Sequence, residues 1–177
     1  MAYEMKVSVV IPTYSMDRYD DMTECLDAVL SQTYDDVAAV VVVDGNREVY
    51  ERIEEEYGDE EVVTFCSRER TGPISRGNMG GVLASGEIIA LTDDDATPEE
   101  DWVEQLVEMY DKHNAVAAGG RIEPEWVAGE ADYIPEEFYW LIGATHRGFA
   151  EKEGEVRNTF GANLSFTKEA FMELGGI

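Results

Sequence analysis

Basic side chains are what this sequence has least of. Thirteen Lys and Arg stand against 39 Asp and Glu in 177 residues, giving a formal net charge of −26 and a pI near 4.1. That balance excludes a nucleic-acid binder, because such affinity comes from Lys and Arg neutralising backbone phosphates. Lysine is the rarer cation, present only at Lys6, Lys112, Lys152 and Lys168. Two cysteines, Cys25 and Cys66, are too few for a disulfide framework and read as small buried hydrophobes. No stretch approaches the ~20 apolar residues that a membrane span needs. The short apolar run near the N-terminus follows Glu4, so it reads as a strand and not a signal peptide. No Gly-x-Gly-x-x-Gly follows that run, which argues against a dinucleotide oxidoreductase. A cytoplasmic location is the expectation.

The acidic excess repels itself at low ionic strength, but at 1 M salt the Debye length falls to about 3 Å and most of that cost disappears. A salt-rich cell interior fits such a surface. Nine Tyr, six Phe and three Trp set among regular apolar segments separate the chain from acidic disordered sequences. With 44% hydrophobic residues it can bury one substantial core, so a single domain over 1–177 is expected.

Residues 6–13 form a β-branched run closed by Pro12, the pattern of a buried first strand. From Asp21 onward, Met22, Cys25, Leu26, Val29 and Leu30 recur at helical spacing, with Asp21 and Glu24 as a capping box. Residues 37–43 are almost wholly aliphatic, as a parallel strand covered on both faces requires, and the run stops at Asp44-Gly45-Asn46. The pattern predicts a helix over 49–57, a strand over 62–66, a helix over 75–84, and a strand over 87–92 cut off by Asp93-Asp94-Asp95. Thr97, Pro98 and Glu100 read as N-cap, N1 and N3 of an amphipathic helix running to Lys112. Four strand–helix alternations argue for a doubly wound parallel sheet. A strand over 116–122 is followed by residues 124–157, where Trp126, Tyr133, Phe138, Tyr139, Trp140, His146, Arg147 and Phe149 keep no steady period. This reads as a long loop region with short helices, and such loops are usually functional. An extended segment over 158–167 and a helix over 168–174 follow.

In open α/β sheets ligands sit beyond the carboxyl ends of the strands, so residues 12–15, 44–46, 68–77 and 93–95 are the candidates. Asp93 and Asp95 supply two carboxylates one residue apart, hard oxygen donors suited to a divalent cation that bridges a diphosphate. Among fourteen Asp, an Asp-x-Asp arises by chance about once, so the motif gains meaning only from its place after a strand. Clustering has a cost: two unit charges about 5 Å apart repel by roughly 3 kcal/mol at an effective dielectric of 20, and a cation removes it. Asp44 reads equally as an acceptor for a nucleobase N–H and as a turn residue before Gly45. Arg76 and Asn78 stand at a helix start near Gly72 and Gly77, a place for anionic or ribose groups, although an ordinary capped helix is the simpler reading.

Taken together, VSVVIPTYSMDRYDDMTECLDAVLSQTY, VVVVDG, RTGPISRGNMGGVLASGEIIALTDDDATPEEDW and FGANLSFTKEAFMELGGI resemble glycosyltransferase family 2, the GT-A fold, from about Val7 to Ile177. The resemblance implies an α/β, Rossmann-like and mostly parallel sheet with helices on both faces, residues 1–115 binding a nucleotide sugar and 116–177 forming the acceptor side. It implies a metal-dependent, inverting transfer from a UDP- or GDP-linked sugar to a glycan, lipid-linked or protein acceptor, with Mg2+ or Mn2+ as cofactor. Pro12, Thr13, Tyr14 and Asp44 would contact the nucleoside, Arg76 the base or diphosphate, and Asp93 and Asp94 the nucleotide sugar. Asp93 and Asp95 would hold the metal, and Gly161, Ala162, Asn163 and Trp140 would face sugar and acceptor. The family commonly has two acidic residues before the glycine of the second-strand motif, and here Val43 replaces the first. The family's catalytic base follows the glycine pair that is Gly175-Gly176 here, which puts it beyond Ile177, with Glu123, Asp132 and His146 as substitutes within the chain. A sugar-phosphate nucleotidyltransferase is the rival enzyme, but it would want a basic glycine-rich loop where Pro12-Thr13-Tyr14-Ser15 stands. A non-catalytic nucleotide-sugar-binding module is the other alternative.

Overall fold

The computed structural model describes residues 5–58, 61–127, 129, 133–150 and 152–177. Its strands are β1 Val7–Thr13, β2 Val37–Val43, β3 Val62–Cys66, β4 Ile88–Leu91, β5 Ala117–Gly119 and β6 Leu164–Thr167. They form one sheet in the order β3-β2-β1-β4-β6-β5. The helices are α1 Tyr19–Leu30, α2 Arg47–Tyr57, α3 Pro73–Leu83, α4 Trp102–His113 and α5 Lys168–Leu174.

The aliphatic runs of β1 and β2 are buried along nearly their whole length because helices cover both faces. On one face Val9, Ile11, Val41 and Val43 meet Met22 and Leu26 of α1, Val49 and Ile53 of α2, and Val103 and Leu106 of α4. On the other, Val10, Val40, Val42, Ile89 and Leu91 meet Ala84 and Phe171 of α5. The one polar residue inside β1 before its last turn, Ser8, accepts the Gly86 N–H at 2.9 Å, which offsets the cost of burying its hydroxyl.

β1 to β4 are parallel, but β6 runs antiparallel to both β4 and β5. The sheet is thus mostly parallel, as the family resemblance implies: β5 runs in the direction of β1 to β4, and β6 alone is reversed. No crossover helix links β5 to β6, so nothing forces them to run the same way. Tyr110 of α4 donates to Ser165 Oγ at 2.8 Å, and Ser165 donates to Ala118 O at 3.0 Å, which ties this antiparallel edge to the core.

Helix boundaries differ at two starts. The expected Asp21/Glu24 box is not the beginning of α1: a 3-10 turn, Met16–Arg18, leads into Tyr19, with the Asp17 N–H donating to Ser15 Oγ. Tyr19 is buried and extends the apolar stripe one turn backward. The expected Thr97 cap is also displaced, since α4 begins at Trp102. Its Val103 N–H donates at 2.9 Å to Gln32 Oε1, so a side chain just past α1 caps α4 from across the fold.

α3 lies close to the sheet because Gly77, Gly80 and Gly81 are buried on its inner face. A Cβ at Gly80 would stand 2.2 Å from Val10 Cγ1, and one at Gly81 2.3 Å from Phe171 Cζ. Val10 is stiff and fully buried, so it cannot yield cheaply. Gly80→Ala gains about 1 kcal/mol of helix propensity, against an overpacking cost of about 1–3 kcal/mol. A lower urea midpoint with an unchanged m value is the expected result, and a raised midpoint would contradict this packing.

Candidate functional site

The carboxyl ends of β1, β2 and β4 bring Thr13, Asp44 and the 93–95 triplet to one edge of the sheet. Asp94 is buried, while Asp93 and Asp95 are exposed at the rim. Arg18, at the end of the 3-10 turn, places Nη2 2.7 Å from Asp94 Oδ1 and 2.6 Å from Asp95 Oδ2. Enough protein surrounds Asp93 that desolvation leads the upward push on its pKa, followed by Asp95 and Asp94. Asp94 is also raised, chiefly by burial, although Thr13 and Arg18 pull it back. Burial lowers the Arg18 pKa, but Asp94 and Asp95 more than reverse this, so the guanidinium stays charged. Beneath the triplet, Cys25 donates to Asp93 O, and burial pushes its thiol up to about 12, which leaves it an inert donor.

Asp44 organises the neighbouring loop. Its Oδ1 accepts from Thr71 N at 2.7 Å, Thr71 Oγ1 at 3.1 Å and Ser67 Oγ at 3.1 Å, and its Oδ2 accepts from Gly72 N at 3.1 Å. Arg76 Nε lies 3.9 Å from the same Oδ2. A nucleobase would find only the outer side of Oδ2 left to share. Burial raises the Asp44 pKa, yet the Thr71 and Gly72 N–H groups outweigh it and hold the carboxyl below its usual value.

Three guanidiniums surround Tyr14: Arg70 at 4.7 Å, Arg76 at 5.3 Å and Arg18 at 5.9 Å from the ring centroid. In a chain with only thirteen cations this is a notable concentration of positive charge. Among the described residues, five buried side-chain polar atoms lack a hydrogen-bond partner, and four of them sit here: Thr13 Oγ1, Arg18 Nε, Arg76 Nε and Asp94 Oδ2. Buried polar groups are almost always paired, so this concentration marks a place built to receive polar ligand atoms. A divalent cation fits the donor set of Asp93 and Asp95, since both carboxylates are accessible, oxygen-based and crowded by like charge. Among the described residues no group of three or more His, Cys, Asp and Glu side chains converges on one point, so further ligands would have to come from a diphosphate and water.

The residues expected on the acceptor side lie elsewhere. Gly161, Ala162 and Asn163 form one 3-10 turn. Asn163 is buried and fully used: its Oδ1 accepts from Trp102 Nε1 at 3.0 Å and its Nδ2 donates to Arg121 O at 3.2 Å. Beyond Trp102 opens a cavity of about 820 Å³ lined by Trp126, Tyr139, His146, Arg147 and Phe149 among others, and it does not include the triplet. Trp126 and Tyr139 meet edge to face at 6.0 Å there. Trp140 is half exposed and outside that lining. Glu123 is in the lining but exposed and paired with Arg121 at 3.0 Å, and Asp132 lies outside the described residues. Sequence reasoning missed Arg18 and Ser67, which reach the site only through loop geometry, and it gave Arg70 and Thr71 no role of their own although both lie in the candidate loop 68–77.

The mostly parallel sheet thus gathers carboxylates, arginines and partnerless polar atoms at one edge, where open α/β sheets bind their ligands. The glycosyl transferase family 2 profile matches residues 8–175, and the chain belongs to that family. It is 48% identical over 174 residues to a glucosyl-dolichyl phosphate glucuronosyltransferase of Haloferax volcanii, covering 97% of this chain and 56% of that relative. It is 31% identical over 123 residues to glycosyltransferase AglE of the same organism, covering 66% of this chain and 39% of that protein. The chain thus spans about half the length of the curated relative it matches most fully. Among solved structures, the mannosyltransferase PcManGT of Pyrobaculum calidifontis, in complex with GDP-Man and Mn2+, superposes with a TM-score of 0.73 at 24% identity, covering 98% of this chain and 48% of that one. S. aureus TarS 1-349 in complex with UDP-GlcNAc gives a TM-score of 0.70 at 18% identity, covering 96% and 47%. At these identities the likeness establishes the fold.

Asp44 gives the site a testable electrostatic signature. A carboxylate held below its unfolded-state pKa contributes stability that is fully present above about pH 4 and is lost as pH falls through the lower folded-state value. In Asp44→Asn an amide NH2 replaces one acceptor facing the Thr71 and Gly72 N–H groups. A loss of about 2–3 kcal/mol is expected, with the Thr71 and Gly72 amides losing hydrogen-exchange protection first. Unchanged protection of those two amides would contradict the assignment.

Proposed function

We propose that this chain binds a nucleotide diphosphate sugar at the carboxyl edge of β1, β2 and β4 and belongs to a protein that transfers the sugar with inversion. Residues 1–115 form the donor half and 116–177 the acceptor half. The observation that carries this reading is the cluster of partnerless polar atoms inside the ring of Arg18, Arg70 and Arg76. Family membership and the 48% identical relative support it. That relative's name makes glucuronate the proposed sugar and a glucosyl-dolichyl phosphate the proposed acceptor, a lipid-linked glycan.

Arg76 and Arg70 flank the place where a diphosphate lies, and Pro12, Thr13 and Tyr14 form its floor under the nucleoside. Asp94 faces inward and is paired with Arg18, which also reaches Asp95; Asp93 and Asp95 stand at the rim, where they would hold Mg2+ or Mn2+. A divalent cation bound there supplies charge stabilisation to the departing nucleoside diphosphate. Inversion needs the acceptor hydroxyl to approach the anomeric carbon opposite the leaving group, with a base to take its proton. The cavity beside α4, where Trp126 and Tyr139 present aromatic faces suited to sugar rings, is the proposed acceptor side, and Gly161, Ala162 and Trp140, which lie outside its lining, are assigned to the same side by the family resemblance alone. Among the described residues no helix is long and apolar enough to cross a membrane, so a lipid-linked acceptor would be met from outside the bilayer's core by this part of the protein.

Asp95→Ala is expected to abolish the manganese-dependent part of UDP- or GDP-sugar binding, measured by titration calorimetry in molar KCl. Equal donor affinity for Asp95→Ala and the parent protein, with and without manganese, would sink the metal assignment.

A further inference from the structure

The acid triplet already has a cation of its own. We propose that Arg18 is its exchangeable counter-ion: it holds Asp94 and Asp95 in the metal-free protein and yields Asp95 to a divalent cation when a nucleoside diphosphate takes over its guanidinium. The proposal rests on the donor-site reading above and adds a residue that couples the two ligands.

The closest approach of Arg18 to both carboxylates is through Nη2, 2.7 Å to Asp94 Oδ1 and 2.6 Å to Asp95 Oδ2. The two partners differ in depth. The Asp94 side chain is 6% exposed and that of Asp95 is 54% exposed, so the inner contact is an anchor and the outer one is open to competitors. The guanidinium itself is incompletely satisfied, since its buried Nε has no hydrogen-bond partner. Asp94 Oδ2 and Thr13 Oγ1, both in residues at least nine-tenths buried, have no hydrogen-bond partner of good geometry beyond each other. Arg18 can therefore give up the exposed Asp95 contact while keeping the buried one to Asp94.

Arg18 already stands at the outer side of the Tyr14 ring, 5.9 Å from its centroid, with Arg70 and Arg76 closer at 4.7 and 5.3 Å. Three guanidiniums around one ring repel one another, so in the absence of an anion the carboxylates of Asp94 and Asp95 hold Arg18 where it is. A diphosphate reverses that preference by supplying the missing negative charge. A dication and a guanidinium on the same carboxylate also repel, so metal alone meets resistance from Arg18. Each ligand thus lowers the cost of the other, and by linkage the coupling is the same in both directions.

Arg18 acts here as a positioning residue, and its test reads binding and not turnover. Manganese binding is measured by electron paramagnetic resonance of free Mn2+ in molar KCl, without nucleotide and with UDP or GDP in turn. For Arg18→Met, Mn2+ affinity without nucleotide is expected to rise about tenfold, while the enhancement of Mn2+ affinity by the diphosphate shrinks by a similar factor. Arg18→Lys, which keeps the charge, is expected to stay near the parent in both. Should Arg18→Met fold poorly, Arg18→Gln with a thermal melt provides the same comparison. A parent that binds Mn2+ with nucleotide, beside an Arg18→Met or Arg18→Gln variant with no gain in nucleotide-free affinity, overturns the exchange alone. No Mn2+ binding by the parent under either condition overturns the donor-site metal reading and the exchange together.

Discussion

Negative charge crowded against the end of a buried strand is the constraint from which the site follows. β4 delivers Asp93, Asp94 and Asp95 in succession to one edge, with Asp94 turned inward. Two like charges about 5 Å apart cost roughly 3 kcal/mol at an effective dielectric of 20, and desolvation adds to that for the inner carboxylate. Such a cluster persists only with a counter-cation. Arg18 supplies one from the turn after β1, and burial first, then the neighbouring carboxylates, still leave Asp93 and Asp94 raised above the usual carboxylate range.

The rest of the fold serves to hold that arrangement still. β1 and β2 are buried along their length, so the loops at their carboxyl ends leave from fixed points. Ser15 caps the turn that presents Arg18, and Asp44 holds the loop that presents Arg70 and Arg76. The N-terminus of α4 is fastened to the end of α1 by Gln32 and to the acceptor-side turn by the Trp102–Asn163 hydrogen bond. Trp102 also lines the cavity beside α4, so the hydrogen bond that fixes its indole fixes part of that cavity's wall.

Much of this was legible in the residues. Aliphatic runs at 37–43 and 88–91 can only be strands covered on both sides, and the helical spacing of Met22, Leu26 and Val29 fixed α1's inner face. The triplet's position was readable for the same reason, because it directly follows such a run. Periodicity carried no information about partners distant in sequence. The antiparallel β6 depends on where a long irregular excursion returns, and the α4 cap comes from Gln32, 71 residues away. Arg18 was invisible for a related cause: nothing in Ser15-Met16-Asp17-Arg18 says which carboxylate its side chain will reach. Asp44 and Asn163 show the opposite difficulty. Both stand in motif positions that suggest ligand contact, and both spend most of their hydrogen-bonding capacity on the fold itself.

The central claim is that a divalent cation replaces part of Arg18's role at the end of β4. Crystals grown with manganese and UDP or GDP, with diffraction recorded at the manganese absorption edge, test it most directly. The account predicts one anomalous peak within coordination distance of Asp93 and Asp95, with Arg18 still on Asp94 and turned toward the diphosphate. An anomalous map with no peak at the triplet, and Arg18 still bridging Asp94 and Asp95 beside a bound nucleotide, would contradict it.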